Sequence, residues 1–178
     1  MTMELTQMVY AYTSDDPLSK YVEKPSELDD KFGMDTYYKA AYTINMFEHA
    51  LTEATLRKGI INYLKHHQFS VADEDDFFRF IQSAATEDEI DFFKEEGAIS
   101  KVMKTWTQQP GYPVLNVTRN YTTGEITLTQ APYCSSGSSC KETKSDYMWY
   151  IPITYATASQ PDFNNTSTDF IFPPVENM

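Results

Sequence analysis

Tyr37-Tyr38-Lys39-Ala40-Ala41-Tyr42-Thr43-Ile44-Asn45-Met46-Phe47 is the stretch on which the fold turns. Tyr37, Ala40, Ala41, Ile44, Phe47 and Leu51 recur at helical spacing, which predicts a helix with one apolar face. Asp35 or Thr36 stands where an N-cap is expected. Working outward, the same periodicity returns in Leu5, Met8, Val9 and Tyr12, and in Leu56, Ile60, Tyr63 and Leu64. It returns again in Phe77, Phe78, Ile81, Ala84 and Ala85, and in Ile99, Val102, Met103 and Trp106. The helix through Phe77 is expected to start at Asp73, with Asp75 and Asp76 placed favourably against its dipole. Pro17 and Pro25 mark an extended connection between the first two stripes.

After Gly111-Tyr112-Pro113 the pattern changes to alternation. Val114–Thr118 and Ile126–Gln130 read as strands joined through Thr123-Gly124. Met148–Tyr155 reads as a third strand, with Pro152 predicting an edge position or a bulge. Phe170–Phe172 reads as a fourth, stopped by Pro173-Pro174, and Ala131–Asp146 as a polar loop. The expectation is therefore α+β: helices over residues 1–112, then a small antiparallel sheet over 113–178. Such a sheet would be half a β-sandwich with open edges and little core. The simplest account is a chain cut from a longer protein.

The 178 residues are 41% hydrophobic and 15% aromatic, enough for a packed core. The formal net charge of −12 repels phosphate backbones and anionic lipid surfaces, so nucleic acid is not an expected partner. No run of about 18 apolar residues is present to span a membrane. Met1-Thr2-Met3-Glu4 lacks the basic start and apolar core of a secretory leader. Other marks bear on the compartment. Asn116, Asn120, Asn164 and Asn165 each head an N-x-S/T acceptor sequence for glycosylation. Cys134 and Cys140 bracket Ser135-Ser136-Gly137-Ser138-Ser139. They can close a disulfide if their Cα atoms come within about 7 Å, or stand as free thiols. The sequons favour an oxidising compartment and hence the disulfide.

Several motifs keep a common order along the chain. Asp16-Pro17-Leu18, Val22, Pro25-Ser26-Glu27-Leu28 and Phe32 lead into Tyr37-Tyr38-Lys39-Ala40-Ala41, with Ile44, Asn45 and Met46 beyond. Arg57-Lys58-Gly59-Ile60 and Tyr63-Leu64-Lys65 follow. Then come Met103-Lys104-Thr105-Trp106-Thr107-Gln108-Gln109-Pro110-Gly111-Tyr112-Pro113-Val114 and Trp149-Tyr150-Ile151-Pro152-Ile153-Thr154-Tyr155. Together they resemble the zinc aminopeptidases of the aminopeptidase N family, which are gluzincins. The most specific match is to the pattern M-x-x-W-T-x-Q-x-G-Y-P-V. The resemblance covers nearly the whole chain, with Ala40 standing where the family usually has glycine. It implies the helical end of a peptidase catalytic domain over 1–112 and the start of a truncated β-sandwich over 113–178. The sequons and the cysteine loop suit a secreted or cell-surface member.

The resemblance also implies a role for Tyr37. In the family, zinc is held by H-E-x-x-H and a later Glu, and a G-A-M-E-N loop binds the substrate's free amine. Neither pattern occurs here. A phenol O–H placed like that of Tyr37 would stabilise negative charge on the scissile carbonyl oxygen, a contribution of about 10²–10³ in rate. The expectation is a fragment of a peptide-cleaving zinc enzyme that binds no zinc itself, is inactive alone, and has the remainder of the parent protein as partner. The competing expectation is a non-catalytic binding module of the receptor or pseudoenzyme kind. The bland alternative for Tyr37 is a packed core tyrosine, one of 13 in the chain.

The remaining polar features point to no second chemistry. His49 follows Glu48 without a second histidine four residues on. His66 and His67 are adjacent, so in a helix they point about 100° apart. Asp73-Glu74-Asp75-Asp76 lacks the spacing and glycine of a calcium loop and reads as a solvated helix start.

Overall fold

The computed structural model describes residues 17–28, 34–133 and 146–174, with the side chains of 34 and 35 left aside. The stripe from Leu5 to Tyr12, Phe32, Cys134 and Cys140 lie outside the described residues. A single 3-10 turn, Pro25–Glu27, precedes the helices. The helices are α1 (Met34–Leu51), α2 (Glu53–His66), α3 (Glu74–Glu87) and α4 (Ala98–Thr107). The strands are β1 (Pro113–Arg119), β2 (Ile126–Pro132), β3 (Ile151–Ile153) and β4 (Phe170–Phe172). The mixed α+β class expected from periodicity is observed.

The described chain falls into two compact units. One holds 17–28, 34–40, 105–133, 146–149 and 173–174; the other holds 41–104 and 150–172. In the second unit α2 and α3 form a hairpin. Gly59 of α2 is buried against α3, where an added Cβ would stand 2.7 Å from Ile81 Cδ1 and 3.0 Å from its Cα. The absence of a side chain thus sets the closeness of the pair. Phe78, Ile81, Ala84 and Ala85 fill the buried face of α3, as the periodicity anticipates. Asp73 caps α3 by accepting the Asp76 N–H at 2.9 Å, while the Asp76 carboxylate reaches back to the Asp73 N–H at 3.4 Å. This is a capping box, so the acidic run is a helix start. Ile99, Val102, Met103 and Trp106 of α4 are all buried. The Gln82 side chain ties α3 to the segment entering α4: its amide donates to Phe93 O at 2.7 Å and its oxygen accepts the Ile99 N–H at 2.9 Å.

In α1 the outcome differs from the sequence expectation. Lys39, Thr43, Phe47, Ala50 and Leu51 are the buried positions, whereas Tyr37 and Ile44 are exposed. The buried face is rotated from the anticipated stripe because Lys39 and Thr43 take inward positions. Asp35 and Thr36 lie within the helix rather than capping it.

Among the described residues the strands make two two-stranded ribbons. β1 pairs antiparallel with β2, from Pro113 opposite Pro132 to Arg119 opposite Ile126. β3 pairs antiparallel with β4, Ile151 opposite Phe172 and Ile153 opposite Phe170. The expected strand over Met148–Tyr155 shrinks to Ile151–Ile153, because β4 offers only three partner residues. Ala131 and Pro132, expected in a loop, extend β2.

Candidate functional site

Tyr37 stands near the start of α1 and is 62% exposed as a residue, so it is not a packed core residue. Two positions on, Lys39 turns the other way and is buried. Its Nζ donates to the Gln109 carbonyl at 2.8 Å, which fixes the rotation of the turn that presents Tyr37. Gln109 lies in the W-T-x-Q-x-G-Y-P-V stretch and does more than accept this bond. Its Nε2 donates to Thr105 O and to Met148 O, both at 2.9 Å. Its Oε1 accepts the Met148 N–H at 3.2 Å. The side-chain amide thus pairs with Met148 as a neighbouring strand would.

Gln130 repeats the device one residue further along. Its Oε1 accepts the Trp149 N–H at 2.8 Å, and its Nε2 donates to Trp149 O at 2.9 Å and Pro173 O at 3.1 Å. Trp149 is fully buried, with its ring centroid 6.5 Å from that of Trp106. Both indoles belong to the sequence patterns quoted above. Tyr112 and Tyr133 stack at 4.8 Å with their planes 13° apart. Burial first, and then Tyr133, push the Tyr112 phenol up to about 12. The two clamping glutamines had no assigned role from sequence. For Gln130 the strand pattern carries no clear signal: of the residues on its side of β2, Leu128 is half-buried and Ile126 is exposed.

The histidines form no metal set. The carbonyl of His49 accepts the Thr168 N–H at 3.1 Å, and its Nδ1 lies 3.1 Å from Thr166 Oγ1. His66 and His67 come together, with ring centroids 4.8 Å apart beside Phe80. His67 Nδ1, however, is engaged with Val71 O at 3.0 Å. Among the described residues no three His, Cys, Asp or Glu side chains converge on one point as a metal ion would need.

All four sequon asparagines are exposed, in three different settings. Asn116 is in β1, opposite Thr129. Asn120 opens the β1–β2 turn, where its Oδ1 accepts the N–H groups of Thr122 at 2.9 Å and Thr123 at 3.2 Å. Asn164 and Asn165 lie in a loop, where the Asn165 Oδ1 accepts the Ser167 N–H at 3.1 Å. No described helix is long and apolar enough to cross a membrane.

Comparison with known proteins gives these features a setting. Residues 2–106 match the peptidase family M1 domain. Membrane alanyl aminopeptidase of Heliothis virescens is 33% identical over 165 residues, covering 92% of this chain and 16% of that protein. The protein of the same name from Manduca sexta is 33% identical over 145 residues, 81% of this chain and 14% of its own length. Endoplasmic reticulum aminopeptidase 2 of Bos taurus is 29% identical over 168 residues, 82% of this chain and 17% of that protein. The chain therefore spans about a sixth of the length of such relatives. With the family match covering more than half of its residues, this chain belongs to peptidase family M1.

Proposed function

We propose that this chain is the transition-state-stabilising segment of a zinc aminopeptidase that removes N-terminal residues from peptides. The observation that carries the reading is the placement of Tyr37: an exposed phenol on a helical turn whose neighbour, Lys39, is buried and anchored to Gln109. A hydroxyl held in that way is free to donate to a carbonyl oxygen while its backbone is fixed, as preorganised charge stabilisation requires. In such a protein a zinc ion would supply Lewis-acid polarisation of the scissile carbonyl, and its ligands would come from segments other than those described here. Residues 1–112 close the peptidase domain, and 113–178 open a β-sandwich that further strands complete. The names of the relatives support passage through the secretory pathway; in that setting Cys134 would pair with Cys140 and the sequon asparagines would be open to glycosylation.

Two measurements test the reading. The purified chain, incubated with zinc and an aminoacyl chromogenic substrate, is expected to give no turnover. Hydrolysis that Tyr37→Phe abolishes would show that the chain is an enzyme by itself. In a longer protein that contains this segment and the zinc motif, Tyr37→Phe is expected to lower kcat about 10²–10³-fold with little change in KM. An unchanged kcat would remove Tyr37 from the mechanism.

A second reading, a non-catalytic binding module, is favoured by one observation. Val117 and Ile126 are each 60% exposed on a ribbon that, among the described residues, has two strands, a setting in which a partner strand can add at an edge. The coding DNA ahead of Met1 discriminates: an in-frame H-E-x-x-H supports the enzyme, and a stop codon behind a functional promoter supports the module.

A further inference from the structure

Asn116 and Asn120 head sequons of the same form, Asn116-Val117-Thr118 and Asn120-Tyr121-Thr122, four positions apart on one ribbon. Their backbones differ. Asn116 is held extended in β1 by pairing with a strand that follows it in sequence. Asn120 sits in a turn made by its immediate neighbours. The Thr122 and Thr123 N–H groups converge on its Oδ1, and the Gly124 N–H donates to its carbonyl at 2.8 Å. Gly124 takes φ +80°, a conformation that glycine adopts without strain. Thr123 Oγ1 adds bonds to the Glu125 carboxylate at 2.8 Å and from the Glu125 N–H at 3.3 Å.

We infer that Asn120 is the preferred N-glycan acceptor of this ribbon, selected over Asn116 by the local turn that orients its carboxamide. The inference rests on the secretory-pathway placement proposed above and deepens it by naming the site. Glycan transfer acts on a chain that is still emerging, before long-range pairing is complete. A conformation counts at that stage only if nearby residues make it, and every bond around Asn120 spans five residues or fewer. With Oδ1 engaged by two N–H groups, the carboxamide is held in one orientation. The residue itself is exposed, so the carboxamide held in this way is accessible from solvent. The Val117 and Thr118 side chains, both β-branched, bias the Asn116 sequon toward extended backbone instead.

The co-reactant is an oligosaccharide carried on an isoprenoid diphosphate. Asn120 Nδ2 forms a bond to the anomeric carbon and gives one proton to the transferase's base. The anomeric C–O bond breaks, and the isoprenoid diphosphate leaves with the electron pair. No oxidation or reduction is involved.

The test expresses the full chain behind a cleavable secretory leader in insect cells. Glycans are released by an amidase in ¹⁸O water, and mass spectrometry reads the Asn-to-Asp conversion at each sequon. Occupancy of Asn120 is expected to exceed that of Asn116 about fivefold, the population bias of one net intramolecular hydrogen bond. Gly124→Val and Thr123→Ala leave both sequons intact while weakening the turn. Each is expected to lower occupancy at Asn120 and not at Asn116, and Thr123→Ala, an exposed change, keeps the test open if the valine variant does not fold. Asn116 occupied as fully as Asn120, neither site occupied, or both turn variants without effect would each overturn the inference. Because the leader supplies the compartment, that failure is distinct from failure of the secretory placement, which is read from the glycosylation state of the protein in its own cells.

Discussion

The α2–α3 hairpin and the segment around Met148 and Trp149 both bury backbone, and they do it by opposite means. In the hairpin every turn satisfies its own amides, so the side chains are free to be apolar and small where the helices meet. Gly59 faces Ile81, and Ala84 and Ala85 are fully buried. Met148 and Trp149 belong to no strand, and their backbone groups would be stranded in the interior. Two glutamine side chains, from Gln109 and Gln130, supply the missing ladder. The hairpin depends on shape, with many weak contacts sharing the load. The clamped segment depends on a few directional bonds, each of which has no substitute.

That difference is broken most severely at Gln130. Replacing it by leucine conserves approximate size but leaves the Trp149 N–H, Trp149 carbonyl and Pro173 carbonyl without their partner. A buried unsatisfied group costs about 1–3 kcal/mol, so Gln130→Leu is expected to destabilise by about 3 kcal/mol or more. Urea unfolding followed by tryptophan fluorescence measures it. Gln130→Glu is expected to be no rescue, since a carboxylate faces two carbonyl oxygens. A loss below about 1 kcal/mol would mean that water replaces the amide and that the clamp is incidental.

The same contrast explains what could be read in the sequence. α3 and α4 were legible almost residue by residue, because apolar periodicity and the Asp73 start are local properties. The inner face of α1 was not, because Lys39 enters the interior on the strength of a carbonyl 70 residues away. The strand expected from Met148 was shortened for a related reason. Its first residues are rich in strand formers, yet their hydrogen bonds go to glutamine side chains, and propensity carries no information about the partner. At the candidate site, the position of Tyr37 on a helix was legible from the motif, whereas the anchor beneath it was not. Gln109 was visible inside the motif without a role until its three contacts placed it.

The hairpin is probed by addition rather than removal. Gly59→Ala gains about 1 kcal/mol of helix propensity. The new methyl would stand 3.0 Å from Ile81 Cα and 3.2 Å from Phe80 O, backbone atoms that yield only if α2 and α3 separate. Overpacking costs about 1–3 kcal/mol, so the net expectation is a loss of about 1 kcal/mol. Thermal melting at 222 nm gives the sign, and a gain would mean the helices part without penalty. Asp73→Ala tests the capping box at the other side of the hairpin. It is expected to cost about 1 kcal/mol, with Asp73→Asn retaining most of the stability.

The smallest effect concerns the polar end of the hairpin, where the geometry of shape and that of directed bonds meet. Asp88 accepts from Thr55 Oγ1 at 2.8 Å and pairs with Lys58. The Lys58 ammonium first, and then the Thr55 hydroxyl, hold the Asp88 carboxyl below its ordinary value of 3.8. Asp88 in turn raises Lys58 above 10.5. The folded state therefore binds the Asp88 proton less readily than the unfolded chain does. The stabilisation is complete above the unfolded pKa near 3.8 and disappears as pH falls through the lower folded value. For Lys58 the sign reverses: its share is complete below 10.5 and disappears as pH rises through the raised value. Both partners are about one-third exposed, so screening keeps the contribution small. Melting temperature measured from pH 5 to pH 2 is expected to fall less steeply for Asp88→Asn than for the parent chain, and added salt should narrow the gap. Parallel curves would mean that Thr55 alone, and not the charge pair, holds that corner.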